Sequence, residues 1–262
     1  MPIQMIVTDL DRTLLRTDKS ISEYTVQVLK RCQRQGILIA FASARSECTM
    51  ARIAGRIAPD VMISSGGALA RRGEQLLYRR ILEKNLANSL LRRCLNELGL
   101  GYLTADTENG YVVNRPFDPD DPSWRDFAHG KVIDVTKGFD CGVFKLTAQL
   151  SDKNAAAQIA QAFDNINVLG YAGEDWYQFA HKDASKWKAA RMAAKQLGIP
   201  IANITAFGDD RNDIELLRSC GTGVAVANAL EEAKAAADFV CGSNDEDGVA
   251  KWLEAHVLCK CA

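Results

Sequence analysis

Short apolar runs alternate with amphipathic stretches toward both ends of the chain. Residues 3–8 read as a strand that ends on an acidic cluster. Ser20-Ile21-Ser22-Glu23 matches a helix capping box, and Tyr24, Val28, Leu29 and Cys32 follow at helical spacing. Gly36 is the expected stop. Residues 37–42 are apolar on both faces, as a strand covered on both sides in a parallel sheet must be. Residues 46–58 read as a helix and 61–63 as a strand closed by Ser64-Ser65-Gly66-Gly67. The alternation returns with a helix over 185–196 and a strand over 203–207 ending at Gly208-Asp209-Asp210. Helix 211–218, strand 223–227, helix 230–237, strand 238–241 and helix 246–257 complete it. This pattern predicts an α/β fold: a doubly wound, mostly parallel, Rossmann-like sheet with helices on both faces.

The middle of the chain has a different texture. Residues 102–107 and 110–115 read as antiparallel strands around Glu108-Asn109-Gly110, and Asn-Gly is a hairpin signal. The proline- and acid-rich stretch 116–123 is a loop, 143–150 a strand, 152–164 an alanine-rich helix, and 168–180 one or two strands. Residues 81–183 are therefore expected to form an α+β domain inserted into a discontinuous α/β domain made of 1–80 and 184–262.

The 262 residues suffice for such an arrangement. Apolar residues at 47% and charged residues at 25% argue against disorder and fibrous repeats. With 32 basic and 33 acidic residues, the net charge of −1 lacks the footprint of a nucleic-acid binder. No apolar run is long enough for a membrane span, and the N-terminus reaches Asp9 too soon for a signal peptide. The eight cysteines form no CxxC pair, which argues against zinc and for a reduced, cytoplasmic setting. Cys259 and Cys261 receive no role, and the expected assembly is a monomer or a weak homo-oligomer.

Chemistry concentrates at strand ends. Asp9 and Asp11 follow the first strand, facing the same way if the segment is extended. In open α/β sheets ligands bind at the carboxyl ends of the strands. Like charges so close call for a reason, and Mg2+ held by one or two carboxylates plus substrate phosphate is the usual one. Taken alone, either aspartate could cap a turn. Asp209, Asp210, Asn212 and Asp213 form a second acidic cluster after another short strand. Ser43 follows a strand and Lys186 opens a helix; singly they read as a cap and a solvated lysine. Together these residues suit a site for phosphate and Mg2+.

In order and spacing, Asp9-x-Asp11-x-Thr13, Ser43, Lys186 and Gly208-Asp209-x-x-Asn212-Asp213 resemble the haloacid dehalogenase superfamily of aspartyl-phosphate phosphatases. An insertion between Ser43 and Lys186 is similar to a C2-type cap. The tail, Val224-Ala225-Val226-Ala227-Asn228-Ala229 through Asn244-Asp245-Glu246-Asp247-Gly248-Val249, resembles the Cof-type branch, subclass IIB. The resemblance implies that Asp9 is the nucleophile. It makes Asp11 the general acid and base; that role needs a protonated Asp11, and partial burial with the neighbouring carboxylate is expected to raise its carboxyl. It implies Mg2+ on the Asp9 carboxylate, the Asp11 backbone carbonyl and Asp209, with Asp213 behind or through water. Ser43, Lys186 and Asn212 would hold phosphoryl oxygens, and Thr13 would orient the first motif. The implied substrate is a small phosphorylated metabolite, a sugar phosphate or a phosphorylated cofactor, and the cap would exclude water and read the leaving group.

The chain departs from the family pattern at Arg12 and Ala44, where glycine is commoner, and at Gly66, where asparagine is frequent. The approach to Lys186, His181-Lys182-Asp183-Ala184-Ser185, lacks the usual Pro and Gly. His129, His181 and His256 are too dispersed for a histidine metal site. Arg71, Arg72, Arg79 and Arg80 read as solvated. Trp124, Trp176 and Tyr177 read as packing residues of the insertion, and Asp118, Asp120 and Asp121 as a solvent-facing loop. Two other functions remain open: a phosphotransferase or phosphomutase on the same site, and a non-enzymatic phospho-switch of the receiver type. Receivers are about half this length and carry the acceptor aspartate mid-chain.

Overall fold

The computed structural model describes residues 3–116, 130–152, 154–170 and 175–259. In chain order it runs β1 (Met5–Thr8), α1 (Glu23–Arg34), β2 (Leu38–Ala42), α2 (Glu47–Ala54), β3 (Val61–Ser64), β4 (Leu69–Arg72) and β5 (Gln75–Arg79). Then follow α3 (Lys84–Asn96), β6 (Leu100–Thr107), β7 (Gly110–Val113), β8 (Lys131–Val132), β9 (Val143–Leu150), α4 (Ala155–Ala162), β10 (Ile166–Gly170) and β11 (Trp176–His181). The chain continues through α5 (Lys186–Gln196), β12 (Ile204–Gly208), α6 (Ile214–Ser219), β13 (Thr222–Ala225), α7 (Glu231–Ala236), β14 (Phe239–Val240) and α8 (Gly248–Leu253). It divides into two units, Met1–Arg79 with Ser185–Ala262, and Arg80–Ala184.

The first unit is built on an eight-stranded sheet in the order β14-β13-β12-β1-β2-β3-β4-β5. Its strands from β14 to β3 are parallel. β1 lies in the middle with every residue buried, which is why it carries no polar alternation. Ser22 caps α1, accepting from the Thr25 amide at 3.0 Å, where the capping box predicted a start. Val26, Val28, Leu29 and Cys32 of α1 join the core with Phe41, Phe207, Trp187 and Trp252. β4 and β5 add an antiparallel hairpin at the edge that the sequence reading did not contain. Its arginines and the absence of alternation hide it.

The second unit is a six-stranded sheet, β10-β11-β9-β6-β7-β8. Leu103, Ala105, Leu146, Ala148, Leu150 and Phe179 pack with Leu90, Leu91 and Cys94 of α3 and Ile159 of α4 in its own core. The hairpin around Asn109-Gly110 forms with Thr107 opposite Gly110. Helix α3 was not expected: its capping residue, Glu83, makes no side-chain cap.

Several elements are shorter than the periodicity suggests. Residues 46–58 contribute only α2, capped by Ser46. The last predicted helix starts as a single 3-10 turn, Asn244–Glu246, passes left-handed Asp247 into α8, and widens to a π turn over Glu254–Leu258. The readings on Asp118, Asp120, Asp121, Trp124, His129 and Cys261 fall outside the described residues. Among the described residues no helix is long and apolar enough to cross a membrane.

Candidate active site

Parallel register brings the chemistry together. Thr8 pairs with Phe207 on one side and Phe41 on the other, so β12, β1 and β2 end level. The Asp9 amide extends the ladder by donating to the Phe207 carbonyl at 3.0 Å. The next side chains on β1 and β12 are then those of Asp9 and Asp209, and Ser43 stands just past β2. Asp9, Asp209 and Asp213 are buried, and one carboxylate oxygen of each lies within 4.8 Å of the others.

Lys186, the first residue of α5, reaches into this group. Its Nζ donates to Asp9 Oδ1 at 2.6 Å and to Asp213 Oδ1 at 2.7 Å. Ser185 caps the same helix through the Lys188 amide and donates to Glu215 at 2.9 Å. The loop after β3 sets the start of α5. Ser65, Gly66 and Gly67 are all left-handed, with φ of 51°, 70° and 92°. A Cβ on Gly67 would stand 2.1 Å from the Ser185 carbonyl carbon, so this backbone approach needs glycine.

Asp213 is fully committed. Its Oδ2 accepts the Asp209 and Asp210 amides at 3.1 and 3.2 Å, while Oδ1 holds Lys186. A side chain at Gly208 would collide with it at 2.4 Å. Asp213 therefore holds the lysine and the loop in place. Thr13 donates to Asp209 Oδ1 at 2.8 Å, tying the first acidic motif to the second. Asp9 and Asp209 each keep one oxygen with no hydrogen-bond partner among the described residues.

Three buried carboxylates face one buried lysine. Burial pushes the Asp9 carboxyl well above the ordinary range; Lys186 pulls it back, and Asp213 and Asp209 push it up further. Burial likewise raises Asp209 to about 6, against the pull of the Thr13 hydroxyl. Burial disfavours charge on Lys186, but Asp213 and Asp9 outweigh it and keep the ammonium protonated. With all three acids ionised the cluster has two surplus negative charges. Oxygen-only donors with two uncommitted oxygens and that deficit fit a hard divalent cation such as Mg2+.

Asp11 departs from expectation. It lies apart from the buried carboxylates, one third exposed, and accepts from Arg45 Nε at 2.7 Å and Nη2 at 2.8 Å and from Lys19 Nζ at 2.8 Å. Partial burial pushes its carboxyl up, but the Arg45 and Lys19 contacts outweigh that and hold it at about 2. The raised carboxyl expected from burial and a neighbouring acid is corrected: two cations, not an acid, dominate its surroundings. Its carboxylate is no part of the metal-ligand cluster. Sequence reasoning gave Arg45 and Lys19 no role. The one available signal was a basic residue two places after Ser43, just past a strand.

Ser43 is buried, and its Oγ accepts the Arg45 amide at 3.2 Å. Asn212 is half-buried, and its side chain meets no hydrogen-bond partner among the described residues. Other residues singled out in the sequence have contacts of their own. His181 Nδ1 accepts the Asp183 amide at 3.0 Å. His256 stacks on Trp252 at 4.4 Å. Arg71 pairs with Glu47 at 3.4 Å. Cys32 and Cys94 are buried, which pushes their thiols up to about 11 and about 12.

Comparison with known proteins identifies the family. Bacillus subtilis "Phosphatase YwpJ" is 25% identical over 297 aligned positions, covering 98% of this chain and 100% of the relative. Bacillus subtilis "5-amino-6-(5-phospho-D-ribitylamino)uracil phosphatase YwtE" is 23% identical, over 96% of this chain and 97% of the relative. Among solved structures, a haloacid dehalogenase-like hydrolase from Bacteroides thetaiotaomicron superposes with a TM-score of 0.83 at 24% identity, covering 97% of this chain and 99% of that one. The subclass IIB sugar phosphatase BT4131 does so at 0.83 and 22%, covering 96% and 98%. The model of the haloacid dehalogenase-like hydrolases matches residues 6–253, and the chain belongs to that family.

Proposed function

We propose that the protein is a Mg2+-dependent phosphatase that hydrolyses a small phosphomonoester through a phosphorylated Asp9. The observation that carries this reading is the buried cluster of Asp9, Asp209, Asp213 and Lys186, with uncommitted oxygens on Asp9 and Asp209. Asp9 and Asp209 would hold the metal, with the Asp11 backbone carbonyl. Bound there, Mg2+ supplies positive charge that offsets repulsion between a phosphate dianion and the attacking carboxylate.

Asp9 is the nucleophile: a carboxylate oxygen forms the new bond to phosphorus as the bond to the leaving oxygen breaks. Lys186 holds one Asp9 oxygen and with Ser43 and Asn212 neutralises and orients the phosphoryl oxygens. Asp11 gives the leaving oxygen its proton, then takes one from the water that cleaves the acyl-phosphate. The contacts with Arg45 and Lys19 favour an ionised Asp11, the form that second half needs. For the first half it must exchange those contacts for a proton. The named relatives favour a phosphorylated sugar or sugar-derived metabolite as substrate.

The test is phosphate release from a panel of phosphorylated metabolites. Activity is expected with Mg2+, lost in EDTA and restored by added Mg2+. Asp9→Asn is expected to abolish turnover of every substrate; an Asp9→Asn protein that keeps most of its activity would refute the assignment.

A further inference from the structure

The tail segments, residues 224–229 and 244–249, carry the Cof-type resemblance yet contribute no carboxylate to the buried acidic centre. They bracket the loop that follows Asp11 instead. Asn228 lies between β13 and α7 and uses both ends of its amide. Its Nδ2 donates to the Arg12 carbonyl at 2.8 Å, and its Oδ1 accepts the Asn244 amide at 2.9 Å. Asn244 is buried and donates onward from Nδ2 to the Leu15 carbonyl at 3.1 Å. The residues after it hold the next part of the loop. Asp245 accepts the Thr17 amide and hydroxyl, each at 2.8 Å, and Asp247 accepts from Arg16 at 2.9 Å. The turn that carries Asn228 also grips the second acidic motif. Its Val226 amide donates to the Gly208 carbonyl at 3.3 Å and its Leu230 amide to the Asp209 carbonyl at 2.9 Å. One five-residue turn thus holds backbone of both acidic motifs, and Asn228 is the side chain by which it reaches the first.

The turn at Arg12 needs holding. It is left-handed, at φ 62°, a conformation disfavoured once a Cβ is present. Such a residue persists only where its surroundings impose it. The Leu15 amide closes the turn on the Leu10 carbonyl at 2.8 Å, and the Thr13 amide meets the same carbonyl at 3.4 Å. The Asn228 bond fixes the Arg12 carbonyl between them. Asp11 stands directly before the strained residue, so an Arg12 that relaxed would swing the backbone from which Asp11 projects. While Arg45 and Lys19 hold the Asp11 carboxylate, it has other anchors. Once it gives those up, as the leaving-oxygen step requires, the backbone turn is what aims it. The bridge demands a side chain that donates at one end and accepts at the other; aspartate has the same shape and no donor.

We propose that Asn228, locked by Asn244, is a positioning residue that acts on Asp11 through the Arg12 turn. This inference rests on the phosphatase reading above, in which Asp11 serves the leaving oxygen.

A 4-nitrophenolate leaves without a proton, whereas an alkoxide needs one, so a misdirected Asp11 slows alkyl phosphates more. The readout is kcat/KM in saturating Mg2+ for 4-nitrophenyl phosphate and for the fastest alkyl phosphate of the metabolite panel. This quantity covers the steps up to leaving-group departure and omits hydrolysis of the phosphorylated Asp9. Asn228→Ala is expected to lower the alkyl value about tenfold, the worth of one hydrogen bond, and the nitrophenyl value by less than about twofold. Asn228→Asp, which can still accept from Asn244 and loses only the donor, should match it. Arg12→Gly suits a left-handed turn without a clamp; alone it stays close to the wild type, and combined with Asn228→Ala it restores most of the alkyl value. The Mg2+ concentration for half-maximal activity stays unchanged throughout. The inference is overturned if both substrates slow equally, if Asn228→Asp behaves as the wild type, or if Arg12→Gly brings no recovery. A raised Mg2+ requirement also overturns it, since Asn228 would then act through Thr13 on Asp209. If any of these comes with Asp9-dependent phosphate release, the positioning role alone fails. If no phosphomonoester is turned over, the phosphatase reading fails with it.

Discussion

Replacing Asp209 with asparagine should make the metal-free protein more stable. Burial raises this carboxyl from 3.8 to about 6. For an acid whose folded pKa lies above its unfolded one, the fold binds the proton more tightly, so stability falls as pH rises between the two values. The penalty is absent below about pH 3.8 and complete above about pH 6. At about 1.36 kcal/mol per tenfold change in proton affinity, the ionised group costs the fold about 3 kcal/mol at pH 7.5. Asparagine has the same shape, and its amide oxygen can still accept from Thr13. In a structure of this size 1 kcal/mol moves the melting temperature by about 2–4 °C. Asp209→Asn in EDTA at pH 7.5 should therefore melt several degrees above the wild type. The gain should vanish near pH 4, and the exposed neighbour Asp210→Asn should not reproduce it. Millimolar Mg2+ should raise the melting temperature of the wild type but not of Asp209→Asn. The reasoning is refuted if Asp209→Asn in EDTA at pH 7.5 melts at or below the wild type, or if its gain persists at pH 4.

Two further substitutions probe the supports of the site. Lys186→Met leaves Asp9 and Asp213 buried without their cation; a loss of about 3–5 kcal/mol in urea unfolding at pH 7.5 is expected, together with phosphate release reduced at least about a thousandfold. Gly67→Ala puts a methyl group 2.1 Å from the Ser185 backbone at φ 92°, whereas Gly73→Ala meets nothing within 4 Å at φ 56°. Thermal melts should show Gly67→Ala costing roughly 3 kcal/mol or more and Gly73→Ala about 1 kcal/mol; equal losses would mean that the loop does not brace α5.

Strand ends were the most legible part of the sequence. Residues 5–8, 38–42 and 204–208 are buried almost throughout, so they read as mainly apolar runs, and the acids after the first and last mark the end of the sheet. That Asp9 and Asp209 would meet was implied by the resemblance their motifs carry, and the parallel register of β1 with β12 is what brings them to one end of the sheet. The ion pairs on Asp11 were not legible, because the path of the loop from residue 11 to 20 and the turn of Arg45 decide them, and neither leaves a periodic trace. The β4–β5 hairpin escaped notice for a similar reason. Arg71 and Arg72 occupy strand positions at a sheet edge, where exposure permits charge. Helix α3 lacks the capping signal that exposed α1.

The placement of β1 between β2 and β12 has a consequence for biosynthesis. Asp9 leaves the ribosome two hundred residues ahead of Asp209. At the pace of translation this is an interval of roughly 10–40 s. Until β12 emerges, the apolar β1 has one open edge, a surface prone to pairing with other chains. Shortened products that stop before residue 208 cannot close that edge or assemble the acidic centre, so they should be both inactive and the first to demand chaperone protection.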